Sequence, residues 1–387
     1  MRLANSLYRQ LGTTVFEAMS RLAVQHSAVN LGQGFPDDRG PADVLAVAAD
    51  ALLCGSNQYP PMMGLPSLRQ ALAAHEERFY GTRHDWQTQT LITSGATEAL
   101  AASLLALLEP GDEVVLLQPC YDAYAPLCRR AGATPRFVTL RPPDWRFDEA
   151  ELRAAFSKRT KLVVLNNPLN PAGKVFSREE LECLARLVLE HDCFVVSDEV
   201  YEHLVFGDAR HLAFNTLPGM EERTLKLGSA GKTFSLTGWK VGLVVGPRAL
   251  VEVVGKAHQF LTFSTPPNLQ VAVAYGLGQS DDYFEALRAE LRRRRDRLAS
   301  GLAAMGLQTL PADGAYFLCL DTRSAGFAGS DVDFARFWVE ELGVASIPIS
   351  AFYEEAPVSH LVRLCFAKQD AVLDTALERL RERYGGR

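Results

Sequence analysis

No two cysteines in this chain are spaced as Cys-x-x-Cys, and the seven present, at 54, 120, 128, 183, 193, 319 and 365, are odd in number. That argues against a disulfide frame and fits reduced thiols in a cytoplasm. No run of about 18 apolar residues exists, so no membrane-crossing helix is expected. Met1 to Gly12 are polar and mixed and lack the apolar core of a secretory signal. An excess of basic charge is missing too. Forty Lys and Arg face 46 Asp and Glu, a formal net charge of −6, which argues against a nucleic-acid partner. The one basic cluster, Arg292 to Arg295, is interleaved with acids and apolar residues at helical spacing and reads as a solvated helix face. Internal repeats and low-complexity linkers are absent.

What is present is a long, ordinary globular composition. The 387 residues are 48% hydrophobic, enough to bury a large core. Between about residues 90 and 250, short β-rich runs alternate with polar loops and helical stretches. The runs are Thr90-Leu-Ile-Thr, Glu113-Val-Val-Leu-Leu, Lys161-Leu-Val-Val-Leu, Phe194-Val-Val-Ser, Thr224-Leu-Lys-Leu and Val241-Gly-Leu-Val-Val. This pattern predicts an α/β fold with a largely parallel sheet, whose ligands bind beyond the carboxyl ends of the strands. From about residue 283 the pattern changes to a smaller α+β unit, which the first residues join. The expected units are 1–45 with the small domain, 46–282 as the large domain and 283–387 as the small C-terminal domain.

The strand ends carry the chemistry. Ser94, Gly95, Ala96 and Thr97 open a helix, where free N–H groups favour an anion. Tyr121 offers an aromatic face, Asp198 a charge partner, and Asn170 and Tyr201 hydrogen bonds. Ser229-Ala-Gly-Lys232 ends an apolar run, and Lys240 follows between glycines. An amine held this way can form a Schiff base with an aldehyde cofactor. Arg363, in an otherwise apolar run, needs a partner such as a carboxylate. Each residue alone also has an ordinary structural reading: a cap, a core aromatic, an ion pair. Competing signatures fail. Lys226 stands where a P-loop needs its first glycine, Asp37 breaks a dinucleotide fingerprint begun at Gly32, and Phe79 stands where a zinc motif begun at His75 needs histidine. No metal site is expected.

These segments together resemble the class I and II aminotransferases of the fold-type I pyridoxal phosphate enzymes, over almost the whole chain. The segments are Asn30-Leu-Gly-Gln-Gly-Phe-Pro-Asp37, Asn57-Gln-Tyr59-Pro, Gly95-Ala-Thr-Glu-Ala-Leu100, Asn167-Pro-Leu-Asn170-Pro-Ala-Gly173, Ser197-Asp-Glu-Val-Tyr-Glu-His203, Gly231 to Gly242 and Val362-Arg-Leu-Cys-Phe-Ala-Lys368. The resemblance is to the branch with methionine aminotransferase, kynurenine aminotransferase and glutamine transaminase K. It implies a seven-stranded, mostly parallel sheet flanked by helices. It implies pyridoxal 5'-phosphate as cofactor, with Lys232 as its Schiff-base lysine. Asp198 would pair with the pyridine nitrogen, Tyr201 and Asn170 with the phenolic oxygen, and Tyr121 would stack on the ring. Gly95, Ala96, Thr97, Ser229 and Lys240 would hold the phosphate, joined by Tyr59 from a neighbouring subunit of a homodimer. Arg363 would bind the substrate carboxylate, helped by Asn170 and Gly34. Phe16, Phe35, Tyr59, Tyr121, Phe260 and Phe352 would wall an apolar side-chain pocket. The implied reaction moves an amino group from a neutral L-amino acid to a 2-oxo acid. A cysteine-conjugate C–S β-lyase and a kynurenine–oxoglutarate aminotransferase are the alternatives. A non-catalytic regulator fits less well, since residues 1–29 are too few for a DNA-binding domain.

Overall fold

β-branched runs buried on both faces build the central sheet of the computed structural model, which describes residues 4–386. Residues 1–3 and 387, at the outer limits of the expected terminal units, lie outside the described residues. The strands are β1 (Val29–Asn30), β2 (Thr90–Thr93), β3 (Glu113–Gln118), β4 (Thr134–Thr139), β5 (Thr160–Asn166), β6 (Phe194–Asp198), β7 (Thr224–Ser229), β8 (Gly242–Val245), β9 (Phe317–Asp321), β10 (Val344–Ala345), β11 (Ile347–Pro348) and β12 (Leu361–Cys365). Seven of them form one sheet in the order β2-β8-β7-β6-β5-β3-β4. All neighbours in it run parallel except at β8, which is antiparallel to both β2 and β7. The architecture is the α/β fold expected from the sequence. β4 is the strand that the apolar runs do not announce. It lies at the edge, alternates in burial and carries Pro135 and Arg136, as an edge strand can.

The period-two alternation of a strand divides the core between two faces. On β3, Val114 and Leu116 enter a cluster with the helix Ala96–Leu107, whereas Val115 and Leu117 enter a second cluster with the helix Arg178–Glu190. The second cluster continues into Phe317, Leu320, Val362 and Leu364. These belong to a three-stranded antiparallel sheet, β11-β12-β9. β1 pairs in parallel with β10, Val29 opposite Val344, so the N-terminal segment joins the C-terminal part of the chain. Among the described residues no helix is long and apolar enough to cross a membrane.

One charge cluster lies inside the fold. Lys226 of β7 is buried, and its Nζ donates to Glu76 Oε1 at 2.6 Å and to Glu202 Oε2 at 2.5 Å. Burial works against both carboxylates, but the ammonium together with the neighbouring His75, and for Glu202 also His203, holds them below the usual range. Lys226→Met leaves two like charges without their cation. It is expected to lower stability by about 3–5 kcal/mol, read as a lower urea midpoint. A loss under about 1 kcal/mol would mean the carboxylates find another partner.

Candidate active site

The carboxyl ends of β2, β5, β6 and β7 open onto a cavity of about 460 Å³, walled on the far side by the N-terminal segment, Phe317 and Arg363. Of the residues singled out in the sequence, Phe16, Gly34, Gly95, Ala96, Thr97, Tyr121, Asn170, Asp198, Tyr201, Ser229, Lys232, Lys240 and Arg363 all line it.

Lys232 sits in the short helix Ala230–Thr233 that follows β7. Its Nζ donates to the Tyr316 hydroxyl at 2.9 Å, with Gly34 O at 3.4 Å. Tyr316 donates its own proton to Gly34 O at 2.8 Å, so toward the amine it can only accept. Burial pushes the Lys232 ammonium down to about 8, with Arg363 adding to the push and Asp198 opposing it. Near neutral pH this amine is therefore partly free of its proton, unlike a surface lysine.

Asp198 ends β6. Burial raises its carboxyl; the Tyr124 hydroxyl, donating to Oδ2 at 2.5 Å, and the charge of Lys232 pull it back. Asn166 braces this strand end. Its Nδ2 donates to Asp198 O at 2.9 Å, and its Oδ1 accepts from Asn170 N at 2.8 Å. Tyr201 is buried with its ring edge-on to Tyr316 at 5.1 Å. Tyr121 lines the cavity edge-on to Tyr124.

At the other end, Gly95 has φ +86°, and a Cβ there would meet Lys240 Cε at 2.9 Å. The left-handed backbone and the close approach together require glycine. Gly95 precedes the 12-residue helix Ala96–Leu107, and no side chain caps its first N–H groups. Lys240, itself left-handed at φ +53°, brings its ammonium to this helix start. The result is a cationic cradle for an anion.

Arg363 of β12 is almost wholly buried, and no carboxylate among the described residues bonds to it. Its Nη1 donates to Asn170 Oδ1 at 2.8 Å and its Nη2 to Gly32 O at 2.7 Å. Its Nε is without a partner. Phe317, Phe352 and Phe16 surround the guanidinium, with ring centres 4.1, 5.1 and 5.3 Å from Cζ.

Gly34 lines the cavity as expected, its carbonyl accepting from Lys232 and Tyr316, and the neighbouring Gly32 O accepts from Arg363. Two expectations need correction. Phe35 does not wall the cavity: Lys368 binds its carbonyl at 2.8 Å and sits over its ring, holding it outward. Phe352 stands behind Phe16, buried and edge-on at 5.5 Å, without reaching the cavity. The expected reach of Tyr59 is to a neighbouring subunit; Tyr59 and Phe260 are 83% and 85% exposed and do not line the cavity of this chain. Conversely, Tyr124, Asn166, Tyr316 and Phe317 contribute contacts that no sequence motif announces.

A desolvated carboxylate, a low-pKa amine and an anion cradle around one cavity are the donor set that a protonated pyridine ring, an aldehyde and a phosphate require. The residues present fit pyridoxal phosphate. Comparison with known proteins agrees. The pattern described as aminotransferase class I and II matches residues 26–380. The chain is 45% identical over 386 residues to the probable N-succinyldiaminopimelate aminotransferase DapC of Mycobacterium tuberculosis, covering 97% of each. It is 39% identical to mouse kynurenine–oxoglutarate transaminase 3, over 95% of this chain and 87% of the relative. Among solved structures it is similar to YbdL of Escherichia coli, for which a methionine aminotransferase function was identified. The TM-score is 0.95 at 42% identity, covering 99% of this chain and 100% of the other.

Proposed function

From the premise that this chain belongs to the class I and II aminotransferase family, we propose that its amino donors are L-amino acids with neutral side chains, methionine and aromatic ones among them. It is a pyridoxal phosphate-dependent aminotransferase, moving an amino group from an amino acid to a 2-oxo acid. The observation that carries the donor reading is the surroundings of Arg363. It is the one arginine lining the cavity among the described residues, and aromatic rings enclose it. A substrate's α-carboxylate takes that guanidinium, and no second one is left for a side-chain carboxylate.

The cofactor, when bound, supplies an aldehyde that condenses with amines and a ring that accepts electrons from the substrate's α-carbon. The chain's residues do the rest. Asp198, held by Tyr124, would pair with the ring nitrogen and favour its protonated form. Tyr201 and Asn170 would bind the phenolic oxygen, and Tyr121 would cover the ring. The helix start at Gly95, Ala96 and Thr97, with Ser229 and Lys240, would hold the phosphate. Lys232 would hold and move the substrate's α-proton, with Tyr316 steadying its nitrogen. Phe16, Phe317 and the buried Arg363 keep water from the reacting carbon. The exposed Tyr59 and Phe260 support a homodimer in which each subunit completes its partner's site.

A panel of donors with several 2-oxo acids tests the reading. Methionine, phenylalanine and kynurenine are expected to exceed aspartate by about tenfold or more in kcat/KM. An aspartate preference overturns the proposal, and pyruvate with ammonia formed without an acceptor would mark a C–S lyase instead.

A further inference from the structure

The roles proposed above give every charged group that lines the cavity a partner except one. The lining charges are Lys232, Lys240, Arg363, Asp198 and Asp122. Lys240 faces the phosphate, Lys232 the aldehyde, Asp198 the ring nitrogen and Arg363 the substrate's α-carboxylate. Asp122 remains. It follows Tyr121, the residue assigned to the ring face, and lies within the field of Arg363. No side chain and no other residue's backbone hydrogen-bonds to its carboxylate among the described residues; only its own N–H reaches it. It is partly buried, and burial pushes its carboxyl up while Arg363 pulls it down. A carboxylate kept half out of water without donors is costly unless a ligand supplies them.

We propose that Asp122 is a specificity-determining residue. It accepts a hydrogen bond from substrate side chains that end in an N–H group (amide, aryl amine or ammonium), and it repels side chains that end in a carboxylate. The proposal rests on the aminotransferase reading and sharpens it. The missing second arginine explains only why a dicarboxylate gains nothing. Asp122 explains active rejection, because a like charge in a partly desolvated wall repels far more than one in water. It also separates neutral donors from one another. Glutamine and kynurenine offer N–H groups; methionine offers none.

The test uses the cofactor-loaded enzyme and two measurements. In the first, single-turnover half-reactions compare glutamine with glutamate, which differ only in the terminal group. In the second, calorimetry compares the unreactive analogues glutaramate and glutarate, which carry the same two termini. Wild type is expected to favour the amide in both. Asp122→Ala should lower the amide-to-carboxylate ratio by about tenfold to a hundredfold in both, with glutarate binding tightened and glutaramate binding weakened. Asp122→Asn should shift the ratio the same way, and carries the comparison if the alanine variant folds poorly. An unchanged ratio, or a parallel loss for both members of a pair, overturns the proposal. A wild-type enzyme that turns over no donor at all would instead overturn the donor reading, leaving the calorimetric ratio as the measure of Asp122.

Discussion

Lys232→Ala is expected to abolish turnover with every donor, by at least about 10²–10⁴-fold from loss of the proton carrier alone. The argument is geometric before it is electrostatic. Lys232 lies in the short helix that follows β7 and enters the cavity lined by Asp198, within reach of the Gly34 carbonyl. Its nitrogen is fixed by Tyr316, whose proton is already committed to Gly34 O. The amine's lone pair is thus free to take a proton from a substrate. Burial brings its ammonium down to about 8. In cofactor-free protein, reaction of Lys232 with an amine-directed reagent should therefore be half-maximal near pH 8, well below a surface lysine. The sign also fixes stability. Between about pH 8 and the unfolded lysine value, the unfolded chain binds more protons, so this group makes the cofactor-free fold more stable as pH rises through that window. Alanine should remove this pH dependence of stability together with the activity and the pH-dependent labelling. Retained turnover would refute the assigned role.

The second large effect is expected at Arg363. Arg363→Ala should lower kcat/KM by about 30- to 5,000-fold, equivalent to about 2–5 kcal/mol, for all donors alike. The α-carboxylate is common to every amino acid, so the loss should not depend on the side chain. Nothing else lining the cavity can replace the fork, since Lys232 and Lys240 stand at other places with other tasks. The change also leaves Asn170 Oδ1 and Gly32 O without their donors inside a ring of phenylalanines. Added guanidinium ion should restore part of the activity by reoccupying that space. A variant whose kcat/KM falls less than about tenfold would show that the carboxylate binds elsewhere.

Much of this site can be read from the residues at the strand ends, because a parallel sheet brings its carboxyl ends to one place. Asp198, Asn170 and Lys232 are far apart in sequence yet converge for that reason. What escaped is equally physical. Tyr124 occurs at apolar helical spacing, and only the approach of its helix to β6 makes its hydroxyl a partner of Asp198. Tyr316 lies in a strand-like run and reads as core until the N-terminal segment is laid against it. Phe35 was expected in the pocket because an aromatic residue declares its size but not its direction. β4 was hidden by Pro135 and Arg136, which an edge strand tolerates and a central one does not. The α/β class needed only the recurring pattern; the positions of single side chains needed the packing.

The stretch from Asn30 to Gly34 has a consequence for anyone who would re-engineer this enzyme. Asn30 Oδ1 accepts from the N–H groups of Gly32 and Gln33, which folds the segment into a tight strap pinned by the β1–β10 pair. Two carbonyls of that strap, two residues apart, hold Arg363 and the Lys232–Tyr316 pair. Affinity and chemical rate are therefore mechanically linked through one piece of backbone. Loop grafting or library design across 30–34 would move both at once, in directions that cannot be chosen separately. Scope can be changed with less collateral damage from Phe16, which walls the cavity with its side chain, than from the strap beneath it.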